Sequence, residues 1–358
     1  MTTNDFLFRG SLREMDPDVA DLIAFESERQ ARKLILVASE SSAPQAVLEA
    51  LGSRFQNLYA EGYPNPETRW LTEEEILDYE RQLAHYRRYG DPRYYRGVEY
   101  VDIAEALARR RCAEAFATPQ VPADRLYVNV QPLSGAPANN AVYEAVCKPG
   151  DTVMGLSLVH GGHLTHGSPV NRSGKHYNIV SYEVDPVTER LDYDQIQALT
   201  EQYRPRMIIA GYTSYPWMPD WARFRQIADS VGAVLLADIA HTAGLVAAGV
   251  APSPVGYADV ITFTTHKTLC GPRGACILTT KEDLAYKIDR AVFPGEQGGP
   301  HAHVFVALAV TFKLARTEPF RALMAQIVRN AQHLAACLAA NGLRIPYGGT
   351  DTHLLVVD

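Results

Sequence analysis

The chain has 358 residues and a formal net charge of −7, and charges of both signs are interspersed along it. This length is enough to bury a large core, while the charge pattern favours neither nucleic acid nor an anionic membrane as a partner. No run of about 18 apolar residues predicts a membrane span, the first residues do not resemble a signal peptide, and the five scattered cysteines suit reduced thiols in a cytoplasmic protein.

The predicted elements follow one another in a pattern typical of an α/β protein. Helices are expected over residues 16–33 and 72–89, and from about Leu126 apolar, strand-like runs alternate with helical stretches. This alternation predicts a mostly parallel sheet flanked by helices. The predicted strands are 126–130, 152–156, 178–184, 207–211, 233–238, 259–265 and 275–279. Near Arg316 the pattern changes to a helix over 320–341, which suggests the beginning of a smaller C-terminal α+β domain.

Lys267 lies where an apolar strand gives way to the turn Gly271-Pro272. Lysine is rare in buried strand ends unless it is paired or used. One use is as a nucleophilic amine that forms a Schiff base with a carbonyl substrate or with pyridoxal phosphate. The ordinary alternative is a solvated lysine just beyond a strand.

Asp238 ends another short apolar run, and ligands of open α/β sheets bind beyond the carboxyl ends of strands. Pyridoxal phosphate needs an acidic partner for its pyridinium nitrogen as well as a lysine for its aldehyde. His241, three residues later, is placed to orient that carboxylate or the ring. The alternative for Asp238 is a helix N-cap.

The segment from Ser134 to Asn139 follows a predicted strand and opens a helix. Free backbone N–H groups and the helix dipole at such a position suit a phosphate. His160, His163 and His166 are spaced as metal ligands can be. However, no carboxylate or cysteine nearby completes a ligand set, so we expect no metal.

Several motifs occur together, in order, nearly from end to end of the chain. They are Leu36-Val37-Ala38-Ser39-Glu40, Tyr59-Ala60-Glu61-Gly62-Tyr63-Pro64, Tyr94-Tyr95, Val130-Gln131-Pro132-Leu133-Ser134-Gly135, His160-Gly161-Gly162-His163-Leu164-Thr165-His166-Gly167-Ser168, Asp238-Ile239-Ala240-His241, Thr264-Thr265-His266-Lys267-Thr268, Phe293-Pro294-Gly295-Glu296-Gln297-Gly298-Gly299-Pro300 and Gly348-Gly349-Thr350-Asp351. As a set they resemble serine hydroxymethyltransferase (glycine hydroxymethyltransferase), a family of fold type I enzymes dependent on pyridoxal 5'-phosphate.

The resemblance implies a domain plan and an activity. We expect an N-terminal helical arm over 1–57, a large cofactor-binding domain over 58–315 and the start of a small domain over 316–358. The implied reaction transfers the hydroxymethyl group of serine to tetrahydrofolate, giving glycine and 5,10-methylenetetrahydrofolate. Open alternatives are an enzyme similar to threonine aldolases or aminotransferases, and a truncated, non-catalytic paralogue.

The resemblance also assigns roles to residues around the cofactor. Lys267 would carry it, Asp238 would face the pyridine nitrogen and His163 would stack on the ring. The further contacts implied are those of His241, Ser134, Gly135, Ala136, Thr213 and His266.

On the substrate side, Glu61 resembles an acid–base carboxylate and Tyr95 a tyrosine that acts beside the substrate. Ser39 resembles a residue that binds the substrate carboxylate, and Arg273 an arginine that tunes the site. Tyr59, Gly298 and Gly299 resemble groups that reach the cofactor phosphate of a neighbouring subunit. This implies a homodimer or tetramer with shared sites.

The chain departs from the family pattern in several places. Ala136 replaces a common serine and Ser41 a common asparagine. Residues 65–93 form an insertion within the Glu61–Tyr95 loop, which we interpret as a surface helical hairpin rather than a substrate lid. The family's carboxylate-binding arginine has no match before Asp358. We therefore expect a C-terminally incomplete chain with unpartnered apolar surface between Leu343 and Val357.

Overall fold

The computed structural model describes residues 6–90 and 92–358. The chain forms two compact units that divide between Glu40 and Ser41. The predicted domain boundaries at residues 57 and 315 stay predictions.

The helices and strands have the following bounds. The α-helices are α1 Phe6–Arg9, α2 Leu12–Met15, α3 Pro17–Arg32, α4 Gln45–Leu51, α5 Glu73–Ile76, α6 Tyr79–Tyr89, α7 Glu99–Phe116, α8 Gly135–Val146, α9 Arg172–His176, α10 Tyr193–Tyr203, α11 Trp221–Val231, α12 Ala243–Ala247, α13 Glu282–Arg290, α14 Ala302–Ala315 and α15 Glu318–Ala340. The strands are β1 Tyr127–Asn129, β2 Thr152–Leu156, β3 Asn178–Tyr182, β4 Met207–Ala210, β5 Val234–Asp238, β6 Val260–Thr264 and β7 Ala275–Thr279. Shorter 3₁₀ turns include Pro66–Trp70, Leu164–His166 and Pro346–Gly348.

The sheet confirms the predicted α/β class. All seven predicted strands are present, with ends no more than two residues from the expected positions. Their order is β1-β7-β6-β5-β4-β2-β3, and β7 runs antiparallel to both of its neighbours. Strands β1 to β6 therefore point the same way, and their carboxyl ends meet at one edge together with the amino end of β7.

Helices cover both faces of this sheet. Successive side chains of a strand point to opposite faces. In β4, Met207 and Ile209 join a core layer under α8 and α13, whereas Ile208 and Ala210 join the layer under α7, α11 and α14. Because both faces are buried at the centre of the sheet, β4 and β5 are almost continuously apolar.

The predicted helix over 72–89 is two helices, and local capping explains the break. Thr72 and Glu75 form a reciprocal capping box at the start of α5. The Asp78 carboxylate then accepts a hydrogen bond from the Arg81 N–H and begins α6. An N-cap needs non-helical backbone, so a continuous helix cannot pass through Asp78.

Candidate active site

A pocket of about 240 Å³ opens at the carboxyl edge of the sheet. The predicted site residues that line it are Ser134, Gly135, Ala136, His163, Thr213, Asp238, His241, His266 and Lys267. They come from loops after β1, β2, β4, β5 and β6, which share this edge because those strands are parallel. The sequence-based expectation that these residues lie near one another agrees with this geometry.

Asp238 ends β5 and is held by three donors. Its Oδ2 lies 2.9 Å from His166 Nε2 and accepts a 2.9 Å hydrogen bond from Asn139 Nδ2, and its Oδ1 accepts one of 3.1 Å from the Ala240 N–H. The His163 N–H donates to His166 Nδ1, so the His166 ring proton sits on Nε2 and faces Asp238. Burial opposes ionisation, but hydrogen bonds from His166 and Asn139 outweigh it and hold the Asp238 pKa below its usual range.

Asn139 belongs to this network, although the sequence predicts no role for it. Thr262 Oγ1 donates to Asn139 Oδ1 at 2.7 Å, which fixes the amide so that its NH₂ group faces Asp238. His166, for which the sequence predicts no contact with Asp238, makes the same kind of contact. Both hold the carboxylate ionised and in place.

Lys267 lies in the same pocket without a fixed partner. Within the described ranges, its amine forms no hydrogen bond and no ion pair within 4.0 Å. Burial lowers the pKa of Lys267, the Asp238 charge opposes this shift, and the Arg273 charge adds to it. A larger share of the amine is therefore neutral, and so nucleophilic, than for an exposed lysine.

Two histidines of the pocket, His241 and His266, each have a ring nitrogen without a hydrogen-bond partner. Nδ1 of His241 and Nδ1 of His266 are both buried without a hydrogen-bond partner. His241 stacks on His353 with ring centroids 5.6 Å apart, and burial holds its pKa well below the ordinary value. Burial also lowers the pKa of His266 to about 4, and the charges of Arg273 and Lys267 add to the shift.

The first turn of α8 forms one end of the pocket. Ser134 is the N-cap residue, but its side chain makes no capping hydrogen bond, which leaves backbone N–H groups available. A Cβ atom at Gly135 would lie 2.9 Å from Thr264 Cγ2, so only glycine lets the strand end approach this closely. An anion fits this position.

The remaining loop residues form a second group outside this pocket. Tyr59 Oη lies 3.3 Å from Glu61 Oε1, and the Tyr59 and Tyr95 rings meet edge to face at 5.5 Å. A Cβ atom at Gly299 would lie 2.9 Å from Tyr59 Cε2, and one at Gly298 would lie 3.2 Å from Glu61 Oε1. Tyr59 is 58% exposed and Tyr95 48%. We call Tyr59, Glu61, Tyr95, Gly298 and Gly299 the exposed loop group.

Arg93 joins the two ends of the interrupted loop, which the sequence did not predict. Its Nη1 donates to the carbonyl oxygens of Ala60 at 2.8 Å and Gly62 at 2.9 Å. Its Nε and Nη2 donate to Asp102 and Glu105. The Tyr94 N–H donates to the Glu61 carbonyl at 3.0 Å, so the loop ends converge despite the insertion.

The insertion packs against α7. Ile76 is buried with Ile103 and Ala106, and Glu73 pairs with Arg111. None of its described residues lines the Lys267 pocket. The helices are therefore outside that pocket, but Ile76 anchors them more firmly than a purely solvated hairpin.

Ser39 and the C-terminal segment complete the list of predicted features. Ser39 lies in a turn of the first compact unit, and its substrate role stays a prediction. The expected unpartnered surface between Leu343 and Val357 is wrong in part. Leu354 is buried, and the segment docks through Trp217 Nε1 donating to the Tyr347 carbonyl at 3.0 Å.

Comparison with known families decides the classification. The sequence model described as serine hydroxymethyltransferase matches residues 12–90 and 86–358. The chain belongs to the serine hydroxymethyltransferase family. This confirms the predicted family and the fold type I assignment, and it identifies the chain with a family of transferases that depend on pyridoxal phosphate and use tetrahydrofolate.

The Lys267 pocket fits the cofactor of the serine hydroxymethyltransferase family. The observations that fit are the unpaired amine of Lys267, the ionised Asp238 beside it, and the orphaned Nδ1 atoms of His241 and His266. The free first turn of α8 suits the phosphate group. No helix in the described part of the chain is long and apolar enough to cross a membrane.

Proposed function

We propose that this chain transfers the hydroxymethyl group of serine to tetrahydrofolate and so acts as a glycine hydroxymethyltransferase. The observation that carries the proposal is that one pocket contains both the unpaired Lys267 amine and the Asp238 carboxylate, which accepts three hydrogen bonds. The cytoplasm stays the predicted compartment.

Each pocket residue has a proposed role, and its position in the pocket supports that role. Pyridoxal phosphate, when bound, supplies an aldehyde and an electron-withdrawing ring. When the cofactor is bound, Lys267 would hold its aldehyde, and Asp238 would keep a proton on the pyridine nitrogen so that the ring withdraws electrons. His163, Thr213 and His241 would contact the ring, and the first turn of α8 with His266 would bind the phosphate.

The substrate roles fall mainly to groups outside the pocket. Glu61 moves a proton at the serine hydroxymethyl group, and Tyr95 acts beside it. Ser39 and Arg273 bind or attract the substrate carboxylate. Arg273 lies next to the pocket, with Nη1 3.5 Å from His266 Nε2.

We further propose that the exposed loop group of one subunit completes the Lys267 pocket of its partner in a homodimer. The support is that Tyr59, Tyr95 and Gly298 are solvent-exposed, that Glu61 and Gly299 are partly exposed, and that the group lines no part of its own chain's Lys267 pocket. Equal mixing and refolding of Lys267→Ala with Glu61→Gln tests this arrangement. Random pairing leaves one intact site in each hybrid, so activity should recover to about a quarter of wild type. Two variants that stay inactive in a mixed dimer would contradict the shared site.

The overall reaction is tested by comparing three assays on the purified enzyme. We expect serine cleavage that requires tetrahydrofolate and yields glycine and 5,10-methylenetetrahydrofolate. Faster folate-independent cleavage of threonine would favour an aldolase, and amino-group transfer to an oxo acid would favour an aminotransferase. A bound-cofactor absorption band without any turnover would favour a non-catalytic paralogue.

A further inference from the structure

A second cavity, of about 270 Å³, lies between the insertion and the large domain. Its walls come from the 3₁₀ turn Pro66–Trp70, from β1, and from helices α7 and α13. It shares no lining residue with the Lys267 pocket. The cavity therefore depends on the insertion and is separate from the proposed chemistry.

Asp289 of α13 brings an under-satisfied carboxylate to this cavity. Its Oδ1 accepts one hydrogen bond, of 2.7 Å, from Asn129 Nδ2, and within the described ranges it has no ion pair within 4.0 Å. The Arg109 guanidinium lines the same cavity but is bound to Glu105 at 2.6 Å. Burial raises the pKa of Asp289, and the Arg109 charge only partly opposes this. Asp289 is half-buried, and a carboxylate oxygen can accept more hydrogen bonds than the one observed here.

The two residues that hydrogen-bond to Asp289, Asn129 and Tyr63, have no further donor to offer. Asn129 Nδ2 also donates to Tyr63 Oη at 3.1 Å, and Asn129 Oδ1 accepts from the Gln131 N–H, which fixes the amide orientation. Tyr63 Oη in turn donates to the backbone carbonyl of Asp289 at 2.6 Å. Arg109 Nε is also buried without a hydrogen-bond partner and does not bond to the carboxylate, so a ligand in the cavity can provide a further donor.

Arg69 brings a guanidinium of opposite charge to the same cavity. Its Cζ lies 3.0 Å from the centre of the Tyr127 ring and 4.4 Å from that of Trp70. Nη2 donates to the Asp124 carbonyl at 3.2 Å, but Nε is buried without a partner. No carboxylate of the described residues lies within 4.0 Å of it, so its charge is not neutralised by an ion pair.

We propose that this cavity binds an amino acid with an apolar side chain, with its ammonium group at Asp289 and its carboxylate at Arg69. A zwitterion supplies both missing counter-charges at once, whereas a cation or an anion supplies only one. Ile277, Ile288 and Tyr286 give the walls apolar and aromatic surface for the side chain. Tyr63, which lines this cavity, is two residues from Glu61 in the sequence. The cavity nevertheless shares no lining residue with the Lys267 pocket.

Calorimetric titration of the purified, cofactor-loaded enzyme tests this inference with three related probes. The probes are phenylalanine, its amide, which keeps only the positive charge, and 3-phenylpropionate, which keeps only the negative charge. Phenylalanine should bind at least about tenfold more tightly than either, because each lost charge pair contributes on the order of one decade of affinity. The absorption spectrum of the bound cofactor should not change, which separates this site from the Lys267 pocket.

Matched variants locate the site. Asp289→Asn and Arg69→Gln should each weaken phenylalanine binding by about tenfold or more, while Glu282→Gln at the rim and the exposed Arg125→Gln leave it unchanged. Ala285→Leu, which fills the cavity, should abolish binding in a folded protein with normal cofactor content. Equal affinity for all three probes, insensitivity to Asp289→Asn, or no binding of phenylalanine, leucine or tryptophan at millimolar concentration would overturn the proposal and indicate a water-filled cavity.

Discussion

The Arg93 guanidinium donates a 2.9 Å hydrogen bond to the Gly62 carbonyl oxygen and a 2.8 Å bond to that of Ala60, so one side chain holds both sides of Glu61. Arg93 is itself fully buried and pairs with Asp102 and Glu105. The backbone around Glu61 is therefore fixed from the far end of the insertion.

Arg93→Met should destabilise the fold and impair the Glu61 loop. Removing one partner of a buried ion pair costs roughly 3–5 kcal/mol, because the remaining carboxylates stay buried. We expect a lower free energy of unfolding in urea and, in the folded fraction, a larger fall in kcat than in cofactor affinity. Arg87→Met, at an exposed position of α6, is the matched control. A stable Arg93→Met enzyme with normal kcat would refute the positioning role.

Lys267 should be the lysine that carries the cofactor. Its amine is unpaired and its pKa is lowered by burial, so it is the favoured nucleophile of the pocket. Borohydride reduction of the loaded enzyme followed by peptide mapping should place the label on Lys267. Lys267→Ala should lose the label, whereas the exposed Lys287→Ala keeps it. A label on any other lysine would end the assignment.

Asp238→Asn should keep the fold but lose most activity. An asparagine cannot supply the negative charge that retains a proton on the pyridine nitrogen. Its NH₂ group would also face one of the existing donors, His166, Asn139 or Ala240, which costs about 1–3 kcal/mol of stability. Circular dichroism, cofactor content and serine turnover are the measurements. Turnover near the wild-type rate at normal cofactor content contradicts the proposed role.

Shortening the insertion should leave cofactor binding intact, provided that Arg93 remains. Replacing residues 66–89 with a short glycine-containing turn removes Ile76 and uncovers Ile103 and Ala106. Losing a buried isoleucine typically costs about 2–5 kcal/mol, so the free energy of unfolding should fall. Ile76→Val, with an expected cost of roughly 0.5–1.5 kcal/mol, calibrates that effect. A folded, shortened protein that cannot bind cofactor would show that the insertion belongs to the site.

Arg273→Gln should raise the pKa of His266 from about 4 towards its ordinary value, because one of its lowering charges is removed. A histidine whose folded pKa lies below its unfolded value of about 6.5 binds its proton first in the unfolded chain. Its contribution to stability is therefore complete above about pH 6.5 and is lost as the pH falls towards 4. The variant should show a shallower decline over this window. Histidine NMR titration and urea unfolding at several pH values measure both effects, with Arg125→Gln as control.

The sequence predicts the sheet well because burial on both faces leaves a strong local signature. The run that ends at Asp238 is apolar up to that residue, and the run that ends at Thr264 combines apolar residues with β-branched threonines. The placement of Asp238 and Lys267 at one edge follows from parallel strands. The partners of Asp238 were not predictable in this way. His166 and Asn139 are 72 and 99 residues away along the chain, so no local spacing relates them to the carboxylate.

Arg93 shows a different limit of sequence-based prediction. Two of its acceptors are backbone carbonyl oxygens, which every residue has. No pattern of side chains in the sequence therefore predicts these contacts. The split of the predicted site residues into a pocket and an exposed loop group likewise depends on the path of the folded chain. Spacing of the motifs along the sequence does not contain that information.

The meeting of Tyr94 with Glu61 also determines how much length the insertion can tolerate. Segments whose ends already touch form a closed loop, and the entropy of closure rises only logarithmically with length, by about 0.6 kcal/mol for each doubling. The turn between α5 and α6, at Leu77 and Asp78, is thus a place where a reporter domain or an affinity tag can be grafted. The hydrogen bonds from Arg93 to the Ala60 and Gly62 carbonyls would then keep the backbone at Glu61 in place, whatever domain or tag is inserted.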